Sequence, residues 1–284
     1  MAELTTARQA LLQCGLVPVD ANALLAHATG KDRAWLVAHA TDPLPQQVCE
    51  LFFALAKRRR DGEPVAYLTG RREFRDLMLH VTADVLIPRP ETEVLVEAAL
   101  ACVAIDAPAR ILDLGTGSGA IALALAHARP RADVIGVDIA QAAIGVATAN
   151  ADRLGIRNVR FLRANWFDGV GDARFNAIVA NPPYVAAADA HLLEGDLRFE
   201  PRDALTPGGD GLSALRAIID GAPDHLATDA SLLLEHGYDQ SQAVCEMLAR
   251  CGYINVRRLR DLAGHWRVAA ARIARPGQSM QSLS

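Results

Sequence analysis

The sequence predicts an α/β fold in which a mostly parallel, seven-stranded sheet carries helices on both faces and follows a small N-terminal helical domain and a β-hairpin. Three observations carry this. After Glu91, short apolar segments alternate with segments of helical period, the pattern of parallel strands joined by helical crossovers. In the first sixty residues apolar positions recur at helical spacing, clearest at Val48, Leu51, Phe52 and Leu55. Between Gly70 and Pro88 the period shortens to about two, with Phe74, Leu77, Leu79, Val81 and Val85 set among polar residues.

Each element follows from local signals. Turn residues at Gly15, Gly30-Lys31-Asp32 and Asp42-Pro43 cut the first region into about four short helices. Its basic and acidic residues balance, and the Lys57-Arg58-Arg59-Arg60 run reads as a solvated helix C-terminus that suits the macrodipole. Strands are expected at Arg110–Leu114, Asp133–Val137, Val159–Leu162, Asn176–Ala180, Ser231–Glu235, Tyr253–Val256 and Trp266–Ala269. Helices are expected at Ser118–Ala128, Gln141–Arg153 and Leu212–Asp220. The last two strands lack an intervening helix and should be antiparallel. These signals divide the chain into a helical domain (1–69), a hairpin linker (70–90), a sheet domain (91–276) and a flexible tail (277–284).

Composition narrows the function. The 284 residues are 51% hydrophobic and 22% charged, enough apolar surface for a substantial core. A formal net charge of -4 argues against binding nucleic acid through bulk electrostatics. Five cysteines, an odd number without CxxC or Cys/His clustering, disfavour disulfides and zinc. No signal-like start or long apolar run is present, so a soluble cytoplasmic protein without membrane contact is expected.

The chemistry concentrates at the ends of expected strands. Gly115-Thr116-Gly117-Ser118-Gly119 follows one strand and opens a helix, a nucleotide-type loop whose glycines permit a tight turn and close backbone approach. Its helix N-terminus should offer free N–H groups. With Ala120 it also satisfies the dinucleotide pattern, so the loop alone does not choose between NAD and S-adenosylmethionine. Asp138 ends the next strand, where its carboxylate can accept the hydroxyls of an adenosine ribose or cap the following helix. Asn165-Trp166 follows the third, with an indole face for an adenine or for core packing.

Asn181-Pro182-Pro183-Tyr184 is the most specific signal. Two prolines stiffen the segment and leave its carbonyls as acceptors. The Asn181 side-chain oxygen and the Pro182 carbonyl can each take one hydrogen of a substrate NH2, polarising its nitrogen and aiming it at a methyl sulfonium. Tyr184 can cover the flat face of the amide or base. Hydride transfer has no use for such acceptors, so the tetrapeptide favours S-adenosylmethionine over NAD.

The chain resembles the class I (Rossmann-like) S-adenosylmethionine-dependent methyltransferases, and closely the protein-glutamine N5-methyltransferases of peptide chain release factors, the PrmC/HemK family. Beyond the loop and the tetrapeptide, the similar elements are Gly62–Gly70, Phe74, Ile87–Glu93, Phe199-Glu200-Pro201, Gly208–Gly211 and Glu235-His236-Gly237. The resemblance implies that Gly115 through Gly119, Asp138, Trp166 and Asn181 hold S-adenosylmethionine. It implies that Asn181, Pro182, Pro183 and Tyr184 grip the glutamine of a release factor's Gly-Gly-Gln loop, with Asn181, Pro182 and Tyr184 catalytic. The helical domain would then dock the release factor, with no direct nucleic-acid contact. Asn165 departs from the family, which often has Asp there. Arg89 and Glu91 lie in a similar segment and either touch substrate or cap the next helix. His236 reads as a packed or capping residue. An N6-adenine DNA methyltransferase is the alternative, although no basic recognition region is evident, and a non-catalytic S-adenosylmethionine-binding module is a third.

Overall fold

Cap chemistry sets the helices at the start of the chain. The computed structural model describes residues 5–273, so the expected tail at 277–284 lies outside it. Helix α1 (Ala7–Gln13) opens on a capping box in which Thr6 and Gln9 exchange side-chain and backbone bonds. Pro18 starts α2 (Pro18–Thr29), and Gly30 ends it at φ 66. The Asp32 carboxylate caps α3 (Arg33–Ala38) at 2.7 Å from the Trp35 amide. Helices α4 (Gln46–Arg60) and α5 (Val65–Thr69) complete the set. Met1–Arg71 forms one compact unit that also takes in Leu193–Phe199.

That unit has its own core of Leu24, Leu25, Phe52, Leu55, Ala56 and Leu68. Leu51, expected on the inner face of α4, is 44% exposed; Ala56 extends the buried stripe on the opposite side and turns Leu51 outward. The basic run ends α4 as expected, with Lys57, Arg58 and Arg60 exposed to solvent, and its members are also paired. Arg58 forks onto Glu63, Arg59 bridges Asp20 and Asp196 at 2.7 and 2.8 Å, and Arg60 donates to the buried Cys14 carbonyl. Lys57 pairs with Asp61 at 3.5 Å. These guanidinium groups act as clamps inside the helical unit and are already engaged.

The second unit comprises Arg72–Leu192 and Glu200–Ser284. It opens with the hairpin strands β1 (Arg71–Phe74) and β2 (Leu77–His80), then α6 (Glu93–Cys102). The hairpin is narrower than residues 70–90, and its Phe74, Leu77 and Leu79 sit in the core of the sheet unit instead of spanning a linker. There follow β3 (Ala109–Leu114), α7 (Ala120–Ala128), β4 (Ala132–Asp138), α8 (Gln141–Leu154), β5 (Val159–Arg163) and β6 (Phe175–Ala180). The chain continues through α9 (Arg202–Leu205), α10 (Ser213–Gly221), β7 (Leu226–Glu235), α11 (Ser241–Arg250), β8 (Tyr253–Arg260) and β9 (Trp266–Ile273).

Seven strands form one sheet in the order β5-β4-β3-β6-β7-β9-β8, parallel except that β9 runs against both neighbours. Residues alternate across it. Ile111, Ala177, Val179 and Leu233 face a core shared with α6, α7 and α8, whereas Leu112, Leu114, Ile178 and Leu232 face one shared with α10 and α11. Burial on both faces explains the near-continuous apolar runs of β3 and β6. At one edge β8 carries Arg257, Arg258 and Arg260, and the last two guanidinium groups lie 4.6 and 4.1 Å from the Trp266 ring centroid.

Candidate active site

Strand register brings the sequence motifs to a single rim. Leu114 lies opposite Val137 on β4 and Ala180 on β6, and Asp138 lies opposite Arg163 on β5. The residues that follow these strand ends therefore emerge side by side. Chain order reverses between β3 and β6, the switch point where open α/β sheets form a crevice. A cavity of about 820 Å³ opens there, within the range that holds a small ligand. Gly115, Gly117, Asp138, Asn165, Trp166 and Asn181 line it, with Pro183, Asp84–Leu86 and parts of Pro201–Gly208 completing the wall.

The glycine loop divides its labour. Gly115 and Gly117 face the cavity at φ 74 and 54, a region that disfavours side chains. Thr116, Ser118 and Gly119 do not line it. Thr116 donates its hydroxyl to the buried Asp113 carboxylate at 2.7 Å, the Ser118 carbonyl accepts from Asn150 at 2.9 Å, and Gly119 packs against α8 and β5. Asn150 also exchanges bonds with the His80 backbone, tying the hairpin to the loop. Most amides of the turn are engaged, whereas those that open α7 at Ala120 and Ile121 have no side-chain cap. Gly115 and Thr116 donate to the Val137 carbonyl, Gly117 to Asp138 and Gly119 to the Thr116 carbonyl.

Asp113 was not singled out in the sequence. Fully buried beneath the loop, it accepts from Thr116 and from the Ala122 amide, while Oδ1 has no partner. Burial pushes its carboxyl up to about 7, opposed by the two hydrogen bonds. Gly136 is a second residue without a motif. A Cβ there would come within 2.6 Å of the Phe161 ring and 2.7 Å of the Thr116 hydroxyl, so only glycine fits beneath the loop. The Asp138 carboxylate beside the loop suits a neutral or cationic ligand better than a diphosphate.

Asp138 uses both oxygens. Oδ2 accepts the Gly117 amide and Oδ1 the Ala140 amide, each at 2.9 Å. The carboxylate thus braces the loop against the start of α8 while still facing the cavity, and each oxygen retains a further lone pair. Trp166 adopts φ 49, and a Cβ on Gly115 would lie 3.7 Å from its ring, so loop backbone and indole form facing walls.

Asn181 emerges from β6 with its Nδ2 donating to the buried Thr92 hydroxyl at 3.1 Å. Pro183 joins the cavity wall, whereas Pro182 and Tyr184 are not in it. Tyr184 is turned inward: its hydroxyl donates to Glu235 at 3.3 Å, and its backbone carbonyl accepts from Gln240 at 2.8 Å. Burial and the Glu235 charge raise the phenol above its ordinary value. Glu235 itself, 1% exposed, is pushed up to about 7 by burial, against hydrogen bonding from Thr92 and the charge of Arg267. Arg89 pairs with the buried Glu200, which also accepts the Ile87 amide at 3.0 Å. No side-chain cap closes the start of α6, so neither Arg89 nor Glu91 caps it. His236 is fully buried with Nδ1 2.8 Å from the Gly237 carbonyl. Among the described residues no helix is long and apolar enough to cross a membrane.

The fold and this rim define a class. The family described as "Methyltransferase small domain" matches residues 91–213, and "PrmC N-terminal domain" matches residues 4–70. A methyltransferase from Pyrococcus furiosus shares the fold with a TM-score of 0.52 at 17% identity, covering 76% of this chain and 95% of that one. The Thermus thermophilus 16S rRNA N2 G1207 methyltransferase, solved with AdoMet and guanosine, gives 0.52 at 18% identity over 72% of this chain and 50% of its own. The sheet unit is a methyltransferase domain. Curated relatives narrow it further: the release factor glutamine methyltransferase of Bordetella pertussis is 47% identical over 94% of this chain and 98% of its own. Those of Pseudomonas aeruginosa and Escherichia coli are 48% and 45% identical, over 88% and 89% of this chain and 90% and 91% of theirs. The chain belongs to the release factor glutamine methyltransferase family.

Proposed function

We propose that the protein transfers a methyl group from S-adenosylmethionine to the side-chain amide nitrogen of the glutamine in a release factor's Gly-Gly-Gln motif. The observation that carries this reading is the Asn181 carboxamide. Its nitrogen is committed to Thr92, which leaves Oδ1 to accept a hydrogen from a substrate NH2 at the mouth of the cavity. The names of the family's curated members support the choice of substrate.

The residues present fit the cofactor. Gly115 and Gly117 leave room where a Cβ would stand, Asp138 suits ribose hydroxyls, and Trp166 with Asn165 suits an adenine. S-adenosylmethionine supplies an electrophilic methyl on a sulfonium, and the Asp138 carboxylate beside the loop is compatible with its positive charge. Asn181 Oδ1 and the Pro182 carbonyl would hold the two amide hydrogens, aligning the nitrogen and drawing charge onto it. The helical unit would dock the release factor; its basic run is already paired internally, which suits a protein partner better than a phosphate backbone.

Incubation with labelled cofactor and, separately, release factor and plasmid DNA tests the reading. Mass spectrometry should find one added methyl on the Gly-Gly-Gln glutamine and none after replacement of that glutamine by glutamate, whose carboxylate offers no hydrogens to two acceptors. Methyl on adenine in the DNA instead would overturn it.

A further inference from the structure

We propose that Thr92 is a positioning residue for methyl transfer, its buried hydroxyl holding the Asn181 carboxamide in the rotation that turns Oδ1, and not the NH2, toward the substrate. The inference rests on the reading of Asn181 given above and adds what fixes its direction.

The two ends of a carboxamide have nearly the same shape and opposite hydrogen-bonding character. Packing alone would let Asn181 flip, and a flipped side chain would present donors to a substrate amide that needs an acceptor. The Thr92 hydroxyl meets Nδ2 at 3.1 Å and is 4% exposed, so water does not compete for it. A hydroxyl can nevertheless donate as readily as accept. Its polarity is set one step further on, by Glu235 at the end of β7.

Thr92 and Tyr184 both hydrogen-bond to the Glu235 side chain, favouring its ionised form against the burial that raises it to about 7, and in that form it only accepts. The threonine proton is thereby committed to Glu235, leaving Thr92 Oγ1 lone pairs that only an N–H of Asn181 can use. Tyr184 donates to the same carboxylate through Oε1. The direction of this relay, from Asn181 to Thr92 to Glu235, is imposed by one acidic group that does not touch the cavity wall. It also gives a use to the Thr92 of the Ile87–Glu93 segment, which neither Arg89 nor Glu91 explains.

The test compares Thr92→Val, which keeps the shape and loses the hydroxyl, with Thr92→Ser, which keeps the hydroxyl. In single turnovers at saturating cofactor and release factor, Thr92→Val should slow transfer about tenfold, the factor that corresponds to one oriented hydrogen bond. Its affinities for both should stay within about twofold, and Thr92→Ser should restore most of the lost rate. Combined with Asn181→Ala, Thr92→Val should add no more than about twofold, because it acts only through that side chain. Glu235→Gln, whose amide can donate to Thr92, should mimic Thr92→Val and covers the case in which the valine variant does not fold. Exchange of the Asn181 side-chain NH2 protons, followed by NMR, should be slow in the parent and fast in Thr92→Val or Glu235→Gln. Parent-like rates with parent-like exchange, or a full additional slowing on top of Asn181→Ala, would overturn the proposal. Should the parent transfer no methyl to the release factor, the proposed function fails, while the exchange measurement still decides whether Thr92 holds Asn181.

Discussion

Removing the Asp138 carboxylate separates its two tasks. In Asp138→Ala the amides of Gly117 and Ala140 lose acceptors that stand 2.9 Å away. Each bond to a charged group contributes roughly 1.5–3 kcal/mol, but the site faces an open cavity and water re-solvates the freed amides. Stability should therefore fall by only about 1–2 kcal/mol, or a few degrees in melting temperature. Cofactor affinity should fall by about 1–3 kcal/mol, roughly 5- to 150-fold, because the variant loses the ribose acceptor and the brace on Gly117 together. Calorimetric titration with S-adenosylmethionine measures the sum. An analogue lacking the ribose hydroxyls apportions it: the parent should bind the analogue more weakly than the cofactor, whereas Asp138→Ala should no longer distinguish them. A folded variant with parent affinity, or an equal penalty for the analogue in both proteins, would refute the ribose assignment and leave Asp138 as a loop brace.

Three further outcomes are expected. Asn181→Ala should lower single-turnover methyl transfer by about 10²–10³, the usual cost of deleting a preorganised electrostatic contact, with cofactor affinity little changed; loss of cofactor binding would move Asn181 to the cofactor site. Gly136→Ala should destabilise the protein by about 1–3 kcal/mol through overpacking against Phe161 and Thr116, read by denaturant unfolding, and parent stability would contradict the close packing. Asp113 and Glu235 are both raised to about 7 by burial. Unfolded, such carboxyls lose their protons near pH 4, so the native state holds more protons between roughly pH 4 and 7. Their contribution to stability should decline as pH rises through that window and level off above it. Asp113→Asn should make the decline shallower; an unchanged slope would show that Asp113 does not ionise as described.

What could be read from the residues depended on how local the physics was. Strand-loop-helix context at Leu114–Ala120 and the strand-ending Asn181-Pro182-Pro183-Tyr184 are contiguous, so their placement at the carboxyl ends of β3 and β6 was legible. Burial on both faces leaves apolar runs that make the inner strands legible, whereas β5 and β8 are largely half-buried or exposed; β7, β8 and β9 extend well beyond the segments expected. Helix α11 is not among the expected elements although Val244, Met247 and Leu248 keep i, i+3, i+4 spacing. Partnership across long sequence distance was invisible. Nothing near Thr116 announces that its hydroxyl lies against Gly136, and Tyr184 reads as a lid until Glu235, on another strand, is seen to draw it inward. Asp113 was hidden for a different reason, as a charged residue in an apolar strand whose partner three positions later is itself part of the motif.

The arginines beside Trp266 bear on what the sheet does at its border. A final strand leaves one row of amides and carbonyls without a neighbour, and such a row invites any extended chain to add on. On β8 an incoming strand would have to settle beside Arg258 and Arg260 while both are stacked on the indole. Stacking on Trp266 of the neighbouring β9 limits how far the guanidinium groups can swing, so a newcomer would gain its first backbone bonds beside positive charge that must be partly dehydrated. Sheet growth on this side is thus opposed by the cost of dehydrating charge.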